Sequence, residues 1–193
     1  MKKNEGVITF AGNPLTLLGE MVKTGNMAQD FTVLANDLKP HKLSDYKGKV
    51  CIISVVPSVD TGVCAAQTRR FNEEAAKLGD VIILTISCDL PFALGRFCAA
   101  EGIDKVITLS DHKETDFGLK YGFLIEQLRL LARGIQRHAG KLAAALNWHG
   151  STAGTEIKNR RSTLLGEKGY GLGVCGTWEF YETVAGHDRS STR

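Results

Sequence analysis

Cys64 stands where a cysteine can do chemistry. It follows a buried strand and a short loop, and occupies the N-terminal turn of a helical stretch over residues 64–78. Unpaired backbone N–H groups and the helix dipole favour a thiolate there over a thiol. Free cysteine titrates near pH 8.5, so a modest downward shift makes a nucleophile at neutral pH. Thr61, three residues earlier, can offer a hydroxyl to the sulfur or to a bound oxygen, and Pro57 stiffens the preceding bend and can shield the site from water. By spacing alone, a nucleophilic Cys64 and a small buried helix-start residue both remain open. The other cysteines are Cys51, Cys88, Cys98 and Cys175. Five at wide spacings, with no C-x-x-C, do not form a secreted disulfide framework, a zinc ribbon or a dithiol motif.

The elements that must position Cys64 can be read from apolar patterning. Residues 7–10 and 15–18 flank the turn-rich Ala11-Gly12-Asn13-Pro14 and predict a β-hairpin. Residues 31–35 make a short strand and 42–49 a polar connection carrying Leu43 and Tyr46. The continuous β-branched run at 50–56 predicts a strand buried on both faces, ended by Pro57. A helix over 64–78, a second buried strand at 81–87, a helix from Pro91 to about residue 100 and a third strand at 105–110 follow, then a helical turn at 116–121. Strand, helix, strand, helix, strand implies right-handed crossovers and an α/β sandwich.

The 193 residues carry 24 basic and 21 acidic side chains, a net +3. The first 133 residues hold 16 of each sign, so the whole excess lies in the last 60, which also hold 10 of the 21 glycines. The apolar run at 7–11 is shorter than the about 7–15 residues of a signal peptide, and no stretch reaches the roughly 18 of a membrane helix. The expected location is the cytoplasm, with no membrane association. Gly171-Leu172-Gly173-Val174-Cys175-Gly176 satisfies G-x-G-x-x-G but lacks the preceding strand, and the acidic residue about 20 positions on, that dinucleotide binding needs. His41, His112, His138, His149 and His187 neither pair at i, i+4 nor cluster with carboxylates, so no metal is expected. Lys158, Arg160 and Arg161 read as a solvated loop rather than a nucleic-acid patch. No cofactor is implied. Cys51 reads as core and Cys88 as a bystander at a strand end.

The block Pro57-Ser58-Val59-Asp60-Thr61-Gly62-Val63-Cys64-Ala65-Ala66 resembles the peroxidatic motif of bacterial thiol peroxidases, the atypical two-cysteine peroxiredoxins. Ser87-Cys88-Asp89-Leu90-Pro91-Phe92-Ala93, running on to Arg96-Phe97-Cys98, is similar to the family's resolving-cysteine segment. The likeness covers roughly residues 5–133. It implies a thioredoxin-like fold of the peroxiredoxin type, with an N-terminal β-hairpin and an atypical C-terminal part. It further implies that Cys64 attacks a hydroperoxide and becomes a sulfenic acid, with Thr61 and Arg133 bonding the peroxide and Pro57 shielding the site. Cys98, 34 residues after Cys64, would then condense with it in an intrachain disulfide after local unwinding. Thioredoxin is the implied reductant and a homodimer the implied assembly.

After Arg133 the pattern departs from the family. Gly134-Ile135-Gln136-Arg137-His138-Ala139-Gly140 stands where a strongly apolar strand, a turn, a partner strand and a final helix are expected. Two regions are therefore expected: a thioredoxin-like domain over 1–133 whose last strands and helix are lost or replaced, and a divergent, glycine-rich, basic and poorly ordered tail over 134–193. A displaced reading frame or a recombined segment would produce such a tail. Its rival is a divergent extension that packs in an unfamiliar way. Loss of the final strands would expose apolar surface at about 25 cal/mol per Å². Two other functions therefore stand beside the enzyme: an inactive or misfolded remnant, and a redox sensor or chaperone-like module using its cysteines stoichiometrically.

Overall fold

A computed structural model of the chain describes residues 1–22, 27–76, 78 and 80–139. The chain divides into units Met1–Ala153 and Gly154–Arg193, and every described residue belongs to the first. The glycine run at 171–176 with Cys175, the basic cluster at 158–161, His149 and His187 lie outside the described residues.

The expected hairpin forms from β1 (Lys3–Phe10) and β2 (Asn13–Leu18), with Phe10 opposite Asn13. Ala11 and Gly12 are left as a two-residue turn with φ of 48° and 82°. Positive φ at both positions is what a primed turn needs to match the strand twist. The next segment supplies β3 (Thr32–Leu34), β4 (Pro40–Lys42) and a 3₁₀ turn at Leu43–Tyr46. The sequence pattern does not show β4, which overlaps the expected polar connection only at Lys42, because it is a short edge strand with two exposed positions.

The central run is β5 (Val50–Val55), α1 (Gly62–Ala75), β6 (Val81–Ser87), α2 (Pro91–Glu101) and β7 (Ile107–Ser110). Then come α3 (Asp116–Tyr121), β8 (Leu124–Ile125) and β9 (Gly134–Ala139). The main sheet has the order β4-β3-β7-β6-β5-β9, with β5, β6 and β7 parallel; β1, β2 and β8 make a second, three-stranded sheet. Because β5, β6 and β7 step in one direction, right-handed crossovers put α1 and α2 on the same face. Arg69 of α1 pairs with Glu101 of α2 at 3.0 Å, and the Asn72 side-chain Oδ1 accepts the Lys105 N–H at 2.7 Å just beyond α2.

The opposite face carries the principal core. Ile53, Val55, Leu84, Ile86 and Leu109 bury against Leu17, Phe117, Tyr121 and Phe123. Phe117 meets Phe31 edge-on at 5.0 Å and stacks on Tyr121 at 4.8 Å, geometries that the ring quadrupoles favour. Gly19, at the end of β2, lies so close to α3 that a Cβ there would stand 1.8 Å from the Leu119 carbonyl oxygen.

Where the apolar strand after Arg133 was expected to be lost or replaced, residues 134–139 form β9, antiparallel to β5 over six pairs from Val50↔Ala139 to Val55↔Gly134. Ladder pairing engages backbone N–H and C=O groups, so an edge strand can form on the open side of β5 without the apolar run that a central strand shows. No helix among the described residues is long and apolar enough to cross a membrane.

Candidate active site

Pro57 follows β5 after Val56, whose N–H extends the β5–β6 pairing by donating to the Ile86 carbonyl at 3.0 Å. The chain then turns through residues 58–61. The Thr61 N–H and its hydroxyl both donate to the Ser58 carbonyl, each at 3.2 Å, and the Asp60 N–H donates to the Ser58 hydroxyl at 3.1 Å. Thr61 occupies the N-cap of α1 without capping it through its side chain, and it stays exposed. The first bond into the helix runs from the Ala65 N–H to the Thr61 carbonyl at 2.9 Å. Cys64 is the third residue of α1, in the turn whose N–H groups have no carbonyl one turn back.

Cys64 is 3% exposed and belongs to a small core with Val56, Val59 and Leu94, against which Phe97 packs. Leu94 and Phe97 come from α2, the helix bearing Cys98. The Thr68 hydroxyl donates to the Cys64 carbonyl at 2.9 Å, and Gln67 of α1 reaches the Ser54 hydroxyl of β5 at 2.8 Å, which seats the start of α1 on the sheet.

Arg133 is half-buried and precedes Gly134, which pairs with Val55, so it lies at the C-terminal end of β5 where the Pro57 segment begins. The preceding chain is pinned by the Ala132 N–H to the Phe123 carbonyl at 2.7 Å. Pro57, Thr61 and Cys64 therefore share one loop and helix start, with Arg133 at the adjoining strand end. Cys98 stands apart from them on α2. Its sulfur lies 3.2 Å from the Thr108 hydroxyl on β7, and Thr108 in turn meets the Asn36 side chain at 3.1 Å. Cys64 and Cys98 are both free thiols.

Burial pushes the Cys51 thiol up. At Cys88, burial first and then the Asp111 and Asp89 carboxylates push the pKa up to about 12, so it stays protonated at neutral pH. Asp111 is 2% exposed and accepts N–H bonds from Phe117 at 3.1 Å and Gly118 at 2.8 Å. Burial outweighs those bonds and raises its pKa to about 7. Among the described residues no three His, Cys, Asp or Glu side chains group as a metal site.

Sequence reasoning missed Asp89. Its carboxylate accepts the Val59 N–H at 2.8 Å and the Ser87 hydroxyl at 2.9 Å. An Asp just after a strand signals a local turn, but a partner 30 residues away leaves no local mark. Thr108 and Asn36 behind Cys98 were missed for the same reason.

The chain is similar to known proteins in sequence and in fold. The sequence model of the Redoxin family matches residues 23–139. The thiol peroxidase of Oceanobacillus iheyensis is 66% identical over 128 residues, covering 66% of this chain and 78% of that protein. The thiol peroxidase of Bacillus subtilis is 65% identical over 128 residues, covering 66% and 77%. Among solved structures, a peroxiredoxin-like protein from Aquifex aeolicus superposes with a TM-score of 0.66 at 36% identity, over 74% of this chain and 85% of that one. A thiol peroxidase from Chromobacterium violaceum gives 0.65 at 19% identity, over 74% and 84%, and so speaks for the fold alone. With the family pattern spanning the loop that carries Cys64, the helix that carries Cys98 and the strand after Arg133, this chain belongs to the redoxin family, among its bacterial thiol peroxidases.

Proposed function

We propose that Cys64 and Cys98 carry the thiol-dependent peroxidase chemistry of this chain, with hydrogen peroxide and alkyl hydroperoxides as substrates. The Cys64 thiolate attacks the distal peroxide oxygen; the O–O bond breaks, an S–O bond forms, and water or an alcohol leaves after taking a proton. Thr61 and Arg133 donate hydrogen bonds to the peroxide and stabilise the charge that grows on the departing oxygen. Pro57 keeps the bend rigid and the sulfur shielded. The Cys98 thiol then attacks the sulfenic sulfur of Cys64. An S–S bond replaces the S–O bond, and the hydroxyl leaves as water with the Cys98 proton. A dithiol reductant supplies two electrons and two protons by thiol–disulfide exchange, and thioredoxin is the reductant proposed. The enzyme works as a cytoplasmic homodimer.

The observation that carries this reading is the small core shared by Cys64 and the Cys98 helix, built from Val56, Val59, Leu94 and Phe97. It packs Cys64 against residues of the helix that bears Cys98, and both cysteines are free thiols, which supports the pairing. As the family resemblance implies, condensation is proposed to be accompanied by local unwinding, of the first turn of α1 or the middle of α2. Peroxide consumption coupled to thioredoxin tests the assignment. Sustained turnover that disappears in Cys64→Ser supports it. A single stoichiometric oxidation without turnover favours the sensor reading, and turnover that survives in Cys64→Ser overturns the assignment.

A further inference from the structure

We propose that Asp89 is a positioning residue, a latch that holds the Cys64 loop in its peroxide-reactive form and must release before Cys98 can reach the sulfenic acid. The inference rests on the Cys64–Cys98 pairing proposed above. Asp89 lies in the connection between β6 and α2, two residues before Pro91 opens the helix that bears Cys98. Its carboxylate accepts the Val59 N–H at 2.8 Å, reaching across from that connection to the Cys64 loop. Val59 is 1% exposed and packs in the same small core as Cys64. A charged acceptor on a backbone N–H is among the stronger hydrogen bonds a protein makes.

The latch is itself held at three points. The Ser87 hydroxyl donates to the same carboxylate oxygen at 2.9 Å, the Asp89 N–H donates to the Ser87 hydroxyl at 3.2 Å, and the Ser110 hydroxyl of β7 donates to the Asp89 carbonyl. Asp89 is thus fixed to two strands of the sheet, and Val59 hangs from it. Of the two routes, the latch belongs to the one in which the start of α1 leaves the core it shares with Leu94 and Phe97, drawing Val59 away with it. The Asp89–Val59 bond therefore favours the folded loop over the open one. It prolongs the sulfenic acid and delays the disulfide, and during that delay a second peroxide can carry Cys64 on to the sulfinic acid.

Quenched-flow trapping of thiols after one equivalent of hydrogen peroxide separates oxidation of Cys64 from disulfide formation. Asp89→Ala is expected to form the disulfide on the order of tenfold faster than the parent. It should also yield correspondingly less sulfinic Cys64 under excess peroxide, while its oxidation step does not speed up. Asp89→Asn keeps an oxygen acceptor for the Val59 N–H and is expected to return to within about threefold of the parent. Ser87→Ala, which leaves Asp89 in place but less supported, should shift in the same direction as Asp89→Ala by a smaller factor, and decides the matter if Asp89→Ala does not fold. General destabilisation would slow oxidation without hastening resolution. A disulfide step equally fast or slower in Asp89→Ala, or in Ser87→Ala where that variant decides, overturns the latch while leaving the cysteine pairing intact. Absence of a Cys64–Cys98 disulfide in the parent overturns both.

Discussion

Gly134 pairs with Val55 at the last rung of the β5–β9 ladder, and that pairing puts Arg133 at the strand end where the Cys64 loop begins. A strand of ordinary-looking residues thereby fixes the approach of the one arginine that the reaction is proposed to use. Arg133→Met keeps the length of the side chain and removes its hydrogen-bond donors. Steady-state kinetics should show kcat/KM for peroxide lowered by roughly 10²- to 10³-fold, the loss typical of removing one transition-state donor. The rate of disulfide reduction by thioredoxin should not change. An Arg133→Met enzyme as active as the parent removes the guanidinium from the mechanism.

Asp111 makes stability depend on pH with an unusual sign. Its folded pKa, about 7, lies above the unfolded carboxylate value near 3.9. Between those values the folded state holds a proton that the unfolded state has released, so this group's contribution is full below about pH 4 and is lost as pH rises toward 7. Urea unfolding of the parent and of Asp111→Asn at pH 5 and pH 7.5 isolates that contribution from the other carboxylates. The parent should lose on the order of 2 kcal/mol relative to the variant over that interval. A parent that gains on the variant with rising pH would mean that the Phe117 and Gly118 N–H bonds outweigh burial.

Gly19 tests how the hairpin docks. With φ of 106° and the Leu119 carbonyl occupying the space a Cβ would need, Gly19→Ala must strain the backbone and push β2 from α3. A loss of about 2–4 kcal/mol is expected in denaturant unfolding. A variant as stable as the parent would show that β2 and α3 do not pack this closely.

Much of this architecture is legible in the amino-acid order. The β-branched runs at 50–56 and 81–87 announce buried parallel strands, since both of their faces are covered, and Pro91 marks the first residue of α2. Ala11 and Gly12 stand where the hairpin turns. The candidate site is legible where its residues are neighbours in sequence, as Pro57, Thr61 and Cys64 are. It becomes illegible where a contact joins distant segments: Asp89 with Val59, Thr108 with Cys98. β9 is the instructive case. Its pairing with β5 is carried by backbone groups, and side-chain patterning at 134–139 says little about them.

The sequence from about residue 134 onward invites a test outside the protein. Loss of apolar patterning, together with a net +3 confined to the last 60 residues, led us to propose a displaced reading frame there. Reading the coding DNA in its two other frames past that point should yield an apolar strand, a glycine turn and an amphipathic helix. Their absence from both frames refutes the displacement and favours a divergent extension.

The central claim, that Cys64 and Cys98 act as one redox pair, is tested most directly by non-reducing peptide mapping after one equivalent of hydrogen peroxide. A crosslink joining the Cys64 peptide to the Cys98 peptide of the same chain, absent before oxidation and absent in Cys64→Ser, is the predicted result. A crosslink from Cys64 to Cys175, to Cys88 or to another chain would contradict it.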